Sequence, residues 1–169
     1  VETISRPKSL VINNVTYPHQ IFSKWSDAER KEIGIVPYVY KGSHKNEMFY
    51  TNAEAPPVVE GNQVSVNRSS TGKDVGIVKS EMKANAEQML ASILSHSDWV
   101  VIRAAETSKA APTKTAAWRS ALRKKLIDLE ALIDEKTDIA GLEALTLLTQ
   151  EEMDAGKEYS VFDDWPKIE

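Results

Sequence analysis

The sequence predicts an α+β protein: a small antiparallel β unit over residues 1–76, followed by a helical hairpin or three-helix region over residues 77–169. Three observations carry this. The first half sets short Val-, Ile- and Tyr-bearing runs between Asn, Gly and Pro turn signals, as strands and hairpins require. From about Val78 the apolar period lengthens to that of a helix. Two Ser/Thr-x-x-Glu capping boxes, Ser26–Glu29 and Thr149–Glu152, mark helix starts directly, because hydroxyl and carboxylate satisfy backbone N–H groups reciprocally.

Taken in order, Leu10-Val11-Ile12 and Val15-Thr16-Tyr17 flank Asn13-Asn14, and asparagine tolerates the positive φ of a two-residue hairpin turn. The Ser26 box opens a short helix that Gly34 ends. Ile35 to Tyr40 and Glu47 to Thr51 read as strands separated by the polar loop Gly42-Ser43-His44-Lys45. Pro56 to Val66 reads as two further strands turning at Gly61-Asn62.

In the second half, Met82, Ala86, Met89, Leu90, Ile93 and Leu94 form one apolar stripe, with Lys79, Lys83 and Glu87 beside it. Ser97 is a candidate N-cap for the next helix, with Asp98 at the positive end of its dipole, and that helix stops near Ser108. After Pro112 a longer helix places Trp118, Leu122, Leu126, Leu129 and Ile133 on a narrow seam. Such a seam suits a small bundle or a short coiled coil, so self-association through Leu122–Ile133 is one expectation. Ile139 to Leu148 forms a further short helix, the Thr149 box a last turn closed by Gly156, and Tyr159 to Glu169 an aromatic, acidic tail.

Composition bounds the chemistry. The 169 residues are 41% hydrophobic and 27% charged, close to globular averages. A net charge of −4 argues against a general binder of nucleic acid or of anionic membrane, since both need excess Lys and Arg. There is no cysteine, so disulfides, thiol catalysis and Cys-ligated zinc are excluded together. No apolar run is long enough to span a bilayer, and Val-Glu-Thr-Ile-Ser-Arg lacks the apolar core of a secretory signal, so the expectation is a soluble protein made in a cytoplasm.

No catalytic, cofactor or metal constellation emerges. His19, His44 and His96 fall in three separate elements without ligand spacing. Asp163-Asp164 and Glu151-Glu152 are sequence neighbours whose side chains diverge, and no calcium loop pattern is present. There is no Gly-x-Ser-x-Gly elbow, and Gly72-Lys73 lacks the preceding glycine of a phosphate loop, so it reads as a solvated loop. The basic cluster Arg119, Arg123, Lys124 and Lys125 is cancelled by Asp128, Glu130, Asp134 and Glu135, with Lys124/Asp128 spaced to pair. The expectation is therefore no enzyme, no cofactor and no nucleic-acid partner. The tryptophans are more informative. Trp99 and Trp118 lie near the starts of consecutive helices, where an indole serves either as a core anchor or as an interface hot spot. Both roles hold if one ring turns inward and the other outward. Arg103 and Glu106, three apart, are placed to pair with each other, or with Arg119 and a nearby carboxylate.

The run Ser97-Asp98-Trp99-Val100-Val101-Ile102-Arg103-Ala104-Ala105-Glu106, then Pro112, then Trp118-Arg119-Ser120-Ala121-Leu122-Arg123, with Trp165-Pro166 near the end, resembles the C-terminal region of tailed-phage tail-fibre assembly and tail assembly chaperone proteins. The stretch Val11 to Pro18, with Phe22 to Glu29 and Ile33-Gly34-Ile35, is similar to the opening module of phage tail proteins of this kind. The resemblance implies a non-enzymatic protein that binds tail-fibre or baseplate polypeptides and assists or completes their assembly, in the host bacterial cytoplasm or retained in the virion tail. A permanent structural subunit of tail, fibre or baseplate is the alternative. Trp99, Arg103, Glu106, Trp118, Arg119, Leu122 and Arg123 are the candidate partner-binding residues, in a helical half that offers indole and apolar surface while Arg and Glu fix register. Covering a fibre end would keep its exposed β edges from wrong pairing.

Overall fold

The computed structural model describes residues 2–168, and the chain divides into two compact units. The first runs through Glu47 and takes up Thr51–Thr71; the second comprises Met48–Tyr50 and the chain from Gly72 onward.

The first unit begins with β1 (Leu10–Ile12) and β2 (Val15–Tyr17), an antiparallel hairpin registered Leu10↔Tyr17 and Ile12↔Val15. Asn13 and Asn14 take φ of 51° and 64°, the left-handed pair that matches the twist of a two-residue hairpin. Two short helices follow, α1 (Ile21–Lys24) and α2 (Asp27–Glu32). The Ser26 box is formed: Glu29 N–H donates to Ser26 Oγ at 3.3 Å, and Ser26 N–H donates to the Glu29 carboxylate at 2.7 Å. Gly34 carries the chain out of α2 at φ 85°.

A four-stranded sheet completes this part: β3 (Tyr38–Lys41), β4 (Tyr50–Glu54), β5 (Val58–Glu60) and β6 (Gln63–Gly72). β5 and β6 form the expected antiparallel hairpin around Gly61-Asn62, registered Val58↔Ser65 and Glu60↔Gln63. β3 departs from an all-antiparallel unit, because it runs parallel to β6 from Tyr38↔Val64 to Lys41↔Asn67. The reason lies in β6. Ten residues long, it lies between β3 and β4, so the loop after β3 cannot close a hairpin. Gly42 opens that loop at φ 85°, and a Cβ there would stand 2.8 Å from the Arg68 carbonyl oxygen, so only glycine fits. The strand β6 also absorbs Ser69 to Gly72, correcting the solvated loop expected at Gly72-Lys73, and Lys73 N–H donates to the Phe49 carbonyl at 3.0 Å.

In the second unit α3 (Val75–Ser95) starts three residues before Val78, because Asp74 is its N-cap and accepts from Ile77 N–H at 3.0 Å. After α4 (Asp98–Thr107) the chain turns at Ser108, whose φ of 54° ends the helix, and α5 (Thr113–Glu135) runs antiparallel to α3. That direction follows from two links: the Arg119 guanidinium reaches the Leu94 carbonyl, and Lys83 pairs with Asp134 at 2.7 Å. Then come α6 (Ile139–Ala144), capped by Asp138, and α7 (Gln150–Asp154), capped by the Thr149/Glu152 box.

Between α3 and α5, Val78, Met82, Ala86 and Leu90 pack with Leu122, Leu129 and Ile133 in a single core, joined by Phe49, Leu142, Phe162 and Trp165. The seam expected to mediate self-association is thus filled from within the chain. Leu122, Leu129 and Ile133 are fully buried, which removes the Leu122–Ile133 seam as a homo-oligomer contact. The acidic tail is part of this core rather than a loose end: Phe162 N–H donates to the Leu145 carbonyl at 3.1 Å and Lys125 Nζ to the Val161 carbonyl at 2.8 Å. No helix among the described residues is long and apolar enough to cross a membrane.

Candidate partner-binding surface

Although α4 carries a tryptophan, an isoleucine and two valines, it contains no buried residue. At about 100° per residue, Val100 and Ala104 share the inward face, and both are half-buried. Trp99, Ile102 and Glu106 share the opposite face at spacings of three and four residues. Trp99 is 59% exposed and Ile102 56%. Arg103 lies one turn from Trp99 and is exposed, as is Glu106, so α4 presents an indole and an aliphatic side chain flanked by opposite charges.

The remaining candidates come from α5, and they separate. Arg123 is exposed. Trp118 is half-buried against the core, and its indole N–H donates to the Pro166 carbonyl at 2.8 Å, beside a shallow cavity of about 350 Å³ lined by Lys114, Ala121 and Ile168. One indole therefore faces inward and the other outward. Leu122 and Arg119 are not surface residues, which corrects their place in the partner-binding set. Leu122 is fully buried between α3 and α5, and Arg119 is 7% exposed. The physical reason is periodicity: Arg119 precedes Leu122, Leu126, Leu129 and Ile133 at spacings of three, four, three and four, the inward heptad positions.

At that inward position Arg119 closes the joint between α3 and α4. Nη1 donates to the Leu94 carbonyl at 2.9 Å and to Ser97 Oγ at 2.5 Å, and Nη2 donates to Asp98 Oδ1 at 2.7 Å. Ser97 consequently makes no side-chain cap on α4; its hydroxyl donates to the Leu94 carbonyl at 3.1 Å. Neither pairing read for Arg103 and Glu106 forms among the described residues; Arg119 pairs instead with Asp98 at 2.7 Å. Ile102 was missed by sequence reasoning, and the signal was available in its spacing from Trp99.

Elsewhere, polar side chains serve local structure. A cavity of about 580 Å³ in the first unit is walled by Phe22, Ile35, Pro37, Tyr38, Val64 and Arg30. The Arg30 guanidinium is committed to the Phe22 carbonyl at 2.8 Å and to Asp27 at 2.5 Å. Arg68 lies 3.5 Å over the Tyr40 ring and binds Glu54 at 2.9 Å, with His44 3.8 Å from the same carboxylate. The Lys83 ammonium holds the Asp134 carboxyl below its ordinary range, and the carboxylate of Glu143 pushes the Tyr50 phenol up by accepting its hydrogen bond at 2.9 Å. Lys124 pairs with Asp128 at 2.6 Å, one turn along α5, as their spacing implied. Among the described residues no three His, Asp or Glu side chains converge where a metal ion would sit. The chain matches no protein-family model, no curated protein and no solved structure.

Proposed function

We propose that this is a non-enzymatic bacteriophage tail protein that binds a tail-fibre or baseplate polypeptide and assists or completes its assembly. The observation that supports this reading is α4, a helix with four large apolar side chains and none of them buried. Tryptophan and arginine dominate binding hot spots, and exposed apolar rows rimmed by charge mark contact surfaces. The binding face is Trp99 and Ile102, with Arg103 and Glu106 setting orientation from the rim. It is narrower than the sequence suggested, because Arg119 and Leu122 act from inside. The likeness of Ser97–Arg123 to tail-fibre assembly proteins supplies the partner class. The alternative, a permanent virion subunit, would dock through the N-terminal β unit and self-associate through the helices, and α3 already fills the α5 seam.

The test is co-expression with the tail-fibre and baseplate polypeptides of a tailed phage, followed by affinity capture. Wild type is expected to retain a fibre or baseplate segment, and Trp99→Ala to lose it. Equal capture by both proteins overturns the reading.

A further inference from the structure

We infer that Arg119 is a positioning residue that clasps α4 onto the helical core as an arm able to open by itself. Three features carry this. First, α4 has no buried side chain, so its apolar attachment is limited to half-buried Val100 and Ala104. Second, both ends are non-helical joints: Ser97 at φ −121° and ψ 5°, and Ser108 in the left-handed region at φ 54°. Third, the polar attachment converges on one guanidinium, which reaches the last turn of α3, the joint residue Ser97 and the first residue of α4. Arg119 itself is fixed by the core, one turn before Leu122 on the buried face of α5. Its partner Asp98 has a side chain 53% exposed, so the outer half of the clasp opens toward water while the inner half stays on the Leu94 carbonyl.

The clasp also sets orientation. Asp98 and Trp99 are successive residues, so holding Asp98 fixes the rotation of α4 about its axis and directs the indole outward about 100° further round. Only a planar fork supplies both Nη contacts at once; a lysine ammonium, a single point charge, would serve one side. Regions with few buried contacts open below the cost of global unfolding, and α4 is such a region. The functional meaning of the arm, a binding face whose angle is set from within, rests on the partner-binding reading above.

The test is amide hydrogen exchange on the full chain, comparing wild type with Arg119→Lys and with Asp98→Asn. Weakening of the Arg119–Asp98 link is expected to accelerate exchange over Val100–Thr107 about tenfold, with α3 and α5 unchanged. Asp98→Asn removes only the negative charge of the half-exposed partner and leaves the Leu94 and Ser97 contacts of Arg119 in place, so it keeps the proposal falsifiable if Arg119→Lys fails to fold. Uniform acceleration through α3 and α5 in Asp98→Asn, or unchanged exchange in α4, overturns it. Exchange is measured without a partner, so a failure of Trp99→Ala to affect capture sinks the functional reading and leaves this test intact.

Discussion

Arg119 and Asp98, 21 residues apart, meet at 2.7 Å, the arginine inside the helical core and the aspartate at its rim. The pair ties the helix that supplies the core seam to the helix that displays Trp99. A basic residue expected on a partner-binding surface thus holds the α3–α4 joint from beneath. Buried core and exposed apolar face are thereby divided between α5 and α4, and the division has measurable consequences.

Truncation should separate the two roles. Leu122→Ala empties a fully buried site between α3 and α5 and is expected to cost about 2–5 kcal/mol of unfolding free energy. Trp99→Ala removes a larger side chain that is mostly in water and is expected to stay within about 0.5 kcal/mol of wild type. Urea unfolding followed by far-UV circular dichroism measures both. Comparable losses would place Trp99 in the core.

Glycine 42 should be far less replaceable than glycine 34. Both sit at φ 85°, but a Cβ at Gly42 meets the Arg68 carbonyl oxygen at 2.8 Å, whereas at Gly34 nothing lies within 4 Å. Gly34→Ala is expected to carry only the left-handed penalty of about 1–2 kcal/mol, and Gly42→Ala that penalty plus displacement of backbone. Thermal melts of the two variants compare them, and equal melting temperatures would contradict the geometry.

The Thr149/Glu152 box should respond to acid. Lys157, followed by the Thr149 backbone N–H and hydroxyl, holds the Glu152 carboxyl at about 2, against an ordinary value of 4.5. The folded-state value is depressed, so the carboxylate contributes its stabilisation fully above about 4.5 and loses it as pH falls toward 2. A carboxyl-detected NMR titration should give a midpoint near 2 in wild type and a higher one in Lys157→Gln. An ordinary midpoint in wild type would mean the box is not formed in solution.

Much of the fold was legible because its signals are local. Asn13-Asn14, both capping boxes, the Gly61-Asn62 turn and the α3 and α5 stripes each depend on residues within a few positions of one another, and each forms as read. The parallel pairing of β3 with β6 was not legible, since it joins segments 26 residues apart (Tyr38 with Val64), and strand pattern alone does not give direction. Arg119 was misread through its chemistry: a guanidinium suggests solvent, yet its heptad position pointed inward, and carbonyl, hydroxyl and carboxylate acceptors supplied by the α3–α4 joint make burial tolerable. Trp99 and Trp118 look alike in sequence. What separates them is tertiary: the Pro166 carbonyl meets one indole, and the other stands 59% exposed.

The central claim is that the outward face of α4 grips a second polypeptide, and a binding titration tests it most directly. A captured fibre or baseplate segment is titrated into wild type, Trp99→Ala, Ile102→Ala and, as an equally exposed aliphatic control on α5, Ile127→Ala. The account predicts affinity losses of about tenfold or more confined to Trp99 and Ile102, with Ile127→Ala binding as wild type does. Undiminished binding by Trp99→Ala, or an equal loss at Ile127, would contradict it.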